Sequence, residues 1–117
     1  MYNQISDGRG VYNMNRIQSK PQKRRLVREV YGGDVYEYYP LGEYIVAAPN
    51  VCGGRPTFKY TRLEVSTILA LIATGESVQQ ITQAYGLSRL TPDAVKEAVR
   101  LADQALVQSA QMVPVAA

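Results

Sequence analysis

Hydrophobic positions change their period near Leu63, and the change divides the chain. Upstream, short β-prone runs alternate with turn residues. Leu26-Val27-Arg28-Glu29-Val30-Tyr31 and Val35-Tyr36-Glu37-Tyr38-Tyr39 flank Gly32-Gly33-Asp34, which predicts a hairpin. Pro40 and Gly42 end the second run. Glu43-Tyr44-Ile45-Val46-Ala47-Ala48 reads as a third short strand, stopped by Pro49-Asn50.

Downstream the spacing becomes helical. Val65, Ile68, Leu69 and Ile72 fall at i, i+3, i+4 and i+7, one face of a helix that ends at Gly75. Ser66 and Thr67 are expected to serve its start. Ser77 caps a second, short helix with Val78, Ile81 and Tyr85 on one face, and Gly86 terminates it. Thr91-Pro92 is an N-cap followed by proline at the first helical position. The third helix runs to about Gln108, with Val95, Ala98, Val99, Ala102 and Leu106 as its expected buried stripe.

Between the two halves lies Cys52-Gly53-Gly54-Arg55-Pro56-Thr57-Phe58-Lys59-Tyr60-Thr61-Arg62. Paired glycines and closely spaced cations describe a tight basic loop rather than a core strand. The glycines read as a plain turn, since they lack the spacing of a phosphate loop or a dinucleotide fingerprint. Residues 1–24 are polar, carry Gly8, Gly10 and Pro21, and read as a disordered arm.

The expected fold is therefore mainly α: a three-helix, helix-turn-helix-like (homeodomain-like or winged) domain preceded by short β-strands and a disordered basic N-terminal arm. Its parts are the arm at 1–24, strands at 25–48, the helical domain at 49–108 and a tail at 109–117.

Charge sharpens this picture. The net charge of +3 hides an asymmetry. Residues 1–28 hold Arg9, Arg16, Lys20, Lys23, Arg24, Arg25 and Arg28 against Asp7 alone, a balance of +6; the remainder carries −3. A basic arm on a mildly acidic domain suggests an anionic polymer or an acidic surface as partner. The candidate nucleic-acid contacts are Lys20, Lys23, Arg24, Arg25 and Arg28 in or beside the arm, and Arg55, Lys59 and Arg62 in the glycine loop. The third helix is less suited to enter a groove. Its expected outer face, Asp93, Lys96, Glu97, Arg100, Asp103 and Gln104, has a net charge of −1 and favours packing and partner binding.

Composition argues against an enzyme. Histidine is absent, which removes the commonest general base and metal ligand. The single Cys52 excludes an internal disulfide, fits a reducing cytoplasm and reads as structural. No metal or cofactor signature is present. The polar N-terminal stretch is not a secretory signal, and no apolar run approaches a membrane span. Tyr31, Tyr36, Tyr38, Tyr39 and Tyr44 suit strands first and an interface second, and exposed strand edges beside them lead us to expect a homodimer.

Tyr44–Pro56 (with Cys-Gly-Gly-Arg-Pro), Thr61-Arg62-Leu63-Glu64-Val65, Gly75-Glu76-Ser77-Val78 and Leu90-Thr91-Pro92-Asp93 occur in an order that resembles the domain-of-unknown-function 433 family, over residues 43–106. That family is related to VapB-like antitoxins. The resemblance implies a winged or homeodomain-like helix-turn-helix and the antitoxin role in a toxin–antitoxin pair. The expected partner is a PIN-like nuclease that the antitoxin binds and blocks, and the complex represses its own promoter DNA. The chain departs from the family pattern at Tyr60, where glycine is usual, at Glu64, where proline is frequent, and at Gly86-Leu87-Ser88-Arg89, a slightly longer link than usual. The alternative reading is a protein-interaction module with no nucleic-acid role.

Overall fold

The computed structural model describes residues 24–114. Its elements are β1 (Val27–Tyr31), β2 (Asp34–Pro40), β3 (Ile45–Ala47), a 3-10 turn (Cys52–Gly54), β4 (Pro56–Phe58), α1 (Val65–Ala73), α2 (Val78–Ala84), a second 3-10 turn (Gly86–Ser88) and α3 (Pro92–Gln111). The arm, including Lys20 and Lys23, lies outside the described residues. No described helix is long and apolar enough to cross a membrane.

The strands form one antiparallel sheet in the order β1-β2-β3-β4. The expected hairpin is present: Tyr31 pairs with Asp34 across Gly32 and Gly33, whose φ values of 63° and 87° are those of a two-residue primed turn. A mainly α fold is not what forms. Part of the stretch read as a basic loop is strand β4, whose Phe58 pairs with Ile45 and whose Thr57 pairs with Val46. Thr57 and Phe58 are buried, so β4 is a wall of the core and the fold is a sheet with three helices. Three residues are too few for alternation to show against the flanking cations.

Strand alternation divides the sheet's contacts. Ile45 and Phe58 pack with Val65 and Ile68 of α1, Ile81 of α2, and Ala94, Val95 and Ala98 of α3. Tyr38, Val46 and Ala48 make a smaller cluster with Val27 and Tyr36.

The helices carry most of their expected signals. Ser77 accepts from the Gln80 amide at 3.1 Å while the Gln80 side chain accepts from the Ser77 amide at 2.8 Å, a complete capping box. Gly75, at φ 98°, follows α1, and Glu76 N–H donates to the Leu71 carbonyl, a Schellman ending. Thr91 Oγ1 accepts from the Ala94 amide at 3.2 Å. Ser66 and Thr67 do not cap α1; its N-cap is Glu64, with no side-chain cap bond.

Two assignments on α3 are corrected. Val99 and Leu106 are 45% and 70% exposed, and Ala102 is exposed, because the buried face is Ala94, Val95 and Ala98, backed by Leu101. A helical period continues along a helix, but burial ends where the opposing elements end. Glu97, placed on the outer face by its charge, is instead buried. Its carboxylate accepts from the amides of Glu43 at 2.9 Å and Tyr44 at 2.7 Å, with Arg100 Nη2 3.5 Å away. A Cβ on Gly42 would stand 2.6 Å from the same carboxylate, so only glycine allows the β2–β3 turn this close to α3.

Replacing Glu97 by Ala leaves both amides of that turn without their acceptor. At about 1–3 kcal/mol per orphaned group, Glu97→Ala should lower stability by about 2–6 kcal/mol in urea unfolding, and Glu97→Gln by less. An unchanged midpoint for Glu97→Ala would remove the carboxylate from the fold's support.

Candidate functional site

The residues that could meet a ligand gather where the loop after β4 faces the turn into α3. The loop is folded on itself: Thr61 Oγ1 donates to the Phe58 carbonyl at 2.7 Å and accepts from the Leu63 amide at 3.0 Å, while Lys59 N–H donates to the Tyr44 carbonyl at 2.8 Å. This tight course forces Tyr60 to φ 68°, the left-handed region that costs a non-glycine residue about 1–3 kcal/mol.

Side-chain contacts hold Tyr60 there. Its ring stacks on Tyr31 with centroids 4.4 Å apart and planes 14° from parallel. Its hydroxyl donates to Glu29 at 2.7 Å, and its amide donates to the Tyr36 hydroxyl at 3.1 Å. The Tyr38 hydroxyl also donates to Glu29, at 2.5 Å. Lys59 Nζ lies 5.0 Å from the ring centroids of both Tyr38 and Tyr60, within cation–π range. The hydrogen bonds from Tyr38 and Tyr60, with Lys59 nearby, hold the Glu29 carboxyl below the usual carboxylate range. Glu29 in turn raises the Tyr38 and Tyr60 hydroxyls. Contact with the Tyr38 hydroxyl raises the Lys59 ammonium, keeping it charged.

Beside this cluster opens a groove of about 1000 Å³. Buried Phe58, Leu90 and Ala94 supply its apolar base. Tyr31, Tyr44 and Tyr60 supply rings. Lys59, Arg62 and Arg89 supply three cations against the single carboxylate of Glu43. Arg89 sits after the second 3-10 turn at φ 57°, at the entrance to α3.

The structure separates the eight sequence candidates. Lys59 and Arg62 line the groove. Arg55 does not join them: its Nε and Nη2 reach Glu64 at 2.9 and 3.1 Å, so the Arg-Pro loop is tied to the start of α1. Arg28 pairs with Glu37 at 2.6 Å, and Arg24 donates to the Pro40 carbonyl at 2.8 Å. Arg25 is exposed, and Lys20 and Lys23 lie outside the described residues. Sequence reasoning missed Arg89 and the role of Tyr60. The signals available were two departures from the family pattern, Tyr60 in place of an expected glycine and the longer link at Gly86-Leu87-Ser88-Arg89.

Residues 45–102 match the model of the family described as a protein of unknown function, DUF433. No curated protein and no solved structure matches the chain. The matched stretch holds β3, β4, α1, α2 and the buried part of α3. Hairpin β1–β2, which supplies Glu29, Tyr31, Tyr36 and Tyr38, precedes it.

Two outcomes follow from the Tyr60 corner. Tyr60→Ala keeps the left-handed strain and loses the ring contacts, so it should be destabilised by about 1–2 kcal/mol in urea unfolding, and Tyr60→Gly should retain about 1 kcal/mol more than Tyr60→Ala. Equal stabilities would show that the backbone there is unstrained. Acid should loosen the cluster. The Glu29 carboxyl is lowered in the folded chain, so its stabilising contribution is complete above the ordinary carboxylate range and is lost as pH falls through the lowered value. Near-UV circular dichroism of the tyrosines should weaken over that acid range, and Glu29→Gln should flatten the response; an identical titration in the variant would assign it elsewhere.

Proposed function

The chain belongs to the DUF433 family, and from that premise we propose that it is a non-enzymatic, antitoxin-like regulator. It neutralises a PIN-like nuclease in the cytoplasm by binding it, and it contacts nucleic acid. The supporting observation is the groove beside Tyr60, where Lys59, Arg62 and Arg89 converge with three tyrosines around an apolar base. Cations give attraction to phosphates, and aromatic rings give contact area at little conformational cost. Arg100 lies 3.5 Å from the buried Glu97 carboxylate, so α3 keeps the net charge of −1 read from its sequence, and the nucleic-acid contact is placed in the groove rather than on that helix.

A second reading, a dimerising protein-interaction module with no nucleic-acid role, draws on exposed apolar side chains. Leu87 at the groove rim is fully exposed, and Val30 and Val35, paired across the hairpin, are 75% and 63% exposed. Such side chains suit contact with another protein surface.

Fluorescence anisotropy with the DNA upstream of the gene and a scrambled duplex separates the readings. The double variant Arg62→Ala with Arg89→Ala should weaken binding and reduce the logarithmic salt slope by about 2, as two lost phosphate contacts require. In parallel, the full chain should suppress RNA cleavage by a PIN-like nuclease encoded beside it. Undiminished DNA binding by the double variant would move the contact away from the groove, and no binding with no suppression would leave the interaction-module reading.

A further inference from the structure

We infer that the groove beside Tyr60 is a site for single-stranded nucleic acid, taking an unpaired base on the Tyr31–Tyr60 stack and phosphates on Arg62 and Arg89. This inference rests on the nucleic-acid part of the function proposed above and names the ligand class of the same groove.

The aromatic pair is the primary observation. Tyr31 and Tyr60 lie stacked at 4.4 Å, yet Tyr31 is 48% exposed and Tyr60 38% exposed. A packed core pair would hide its rings, whereas this one is held from behind. Glu29 fixes the Tyr60 hydroxyl, the Tyr36 hydroxyl fixes the Tyr60 amide, and Lys59 lies against the rings of Tyr38 and Tyr60. The platform is thus rigid before a ligand arrives, which lowers the entropic cost of binding. Flat rings offer a base its π-face irrespective of sequence.

The cations are the second observation. Arg62, in the loop after β4, and Arg89, in the turn before α3, line the same groove and make no side-chain hydrogen bond or ion pair among the described residues. Arg28 and Arg55, which carboxylates neutralise, stand outside it. Guanidinium groups flanking a ring platform match a backbone whose phosphates alternate with bases.

A duplex fits this arrangement less well. Its base faces are covered by their own stacking, so an aromatic platform set in a groove gains nothing from them. The outer face of α3, where Asp93 and Asp103 stand among Lys96 and Arg100, supplies no row of cations for a duplex backbone. An acidic peptide could meet the arginines, but its carboxylate side chains bring no aromatic ring to cover the stack, so the exposed tyrosine rings would gain little from it.

The test uses the full chain with a fluorescein-labelled oligothymidylate of about a dozen nucleotides, the same strand annealed to oligoadenylate, and polyglutamate as competitor. The chain has nine tyrosines and no tryptophan, so its intrinsic emission reports directly on tyrosine stacking. The single strand should bind about tenfold tighter than the duplex and quench tyrosine emission. Tyr31→Ala should weaken the single strand about tenfold while Tyr31→Phe keeps it, as one stacked base requires. Circular dichroism confirms that both variants fold. Equal or tighter duplex binding, indifference to Tyr31→Ala, or displacement by polyglutamate as effective as by unlabelled strand would each overturn the inference. Duplex binding that is lost in Arg62→Ala with Arg89→Ala, without single-strand preference, would overturn the inference and keep the function proposed above; no binding of either oligonucleotide would overturn the inference, and the function proposed above falls only if the upstream DNA is not bound and the nuclease is not suppressed either.

Discussion

The buried carboxylate of Glu97 is the constraint on which the rest of the domain depends. It stands among the apolar side chains of α3, where a charge without partners would be costly. The amides of Glu43 and Tyr44 satisfy it, and the absence of a Cβ at Gly42 lets their turn approach. One side chain thereby joins the β2–β3 turn to the third helix. The bond positions Tyr44, whose carbonyl accepts from Lys59 and so seats the loop after β4. The groove's walls are set by this chain of contacts, since Glu43, Tyr44 and Lys59 all line it.

Tyr60 makes the second junction. The family-matched stretch begins at Ile45, and the hairpin lies before it in sequence. Tyr60 fastens the two: its amide, hydroxyl and ring all contact hairpin residues. A left-handed tyrosine at a position where glycine is usual is explained by those contacts, which offset a backbone cost of about 1–3 kcal/mol. The same contacts leave a half-exposed aromatic surface in the groove that Arg62 and Arg89 line. Structural support for the hairpin and the ligand-facing chemistry therefore share residues.

Much of the fold was legible from local signals. The hairpin followed from Gly32-Gly33 between β-prone runs, α2 from Ser77 with Gln80, and the start of α3 from Thr91-Pro92. The order of motifs from Ile45 onward identified the family. Strand β4 was not legible, because Thr57 is polar yet fully buried and its strand has only three residues. Two of the groove's three cations, Lys59 and Arg62, were visible as candidates. Arg55 was equally visible and is engaged by Glu64, while the longer link at Gly86-Leu87-Ser88-Arg89 did not by itself point to Arg89 as a ligand-facing residue.

What the sequence by itself determined were the elements whose cause lies within a few residues: the capping box of α2, the Thr91 cap of α3, the primed turn, and the exclusion of histidine-dependent chemistry. Tertiary structure alone decided the fate of each charge and ring. Glu97 meets its amides across 54 positions, and Tyr60 meets Glu29 across 31. A carboxylate reads the same in a sequence whether water or two backbone amides will solvate it. Only the assembled chain, by excluding water from one place and opening a groove at another, makes that distinction.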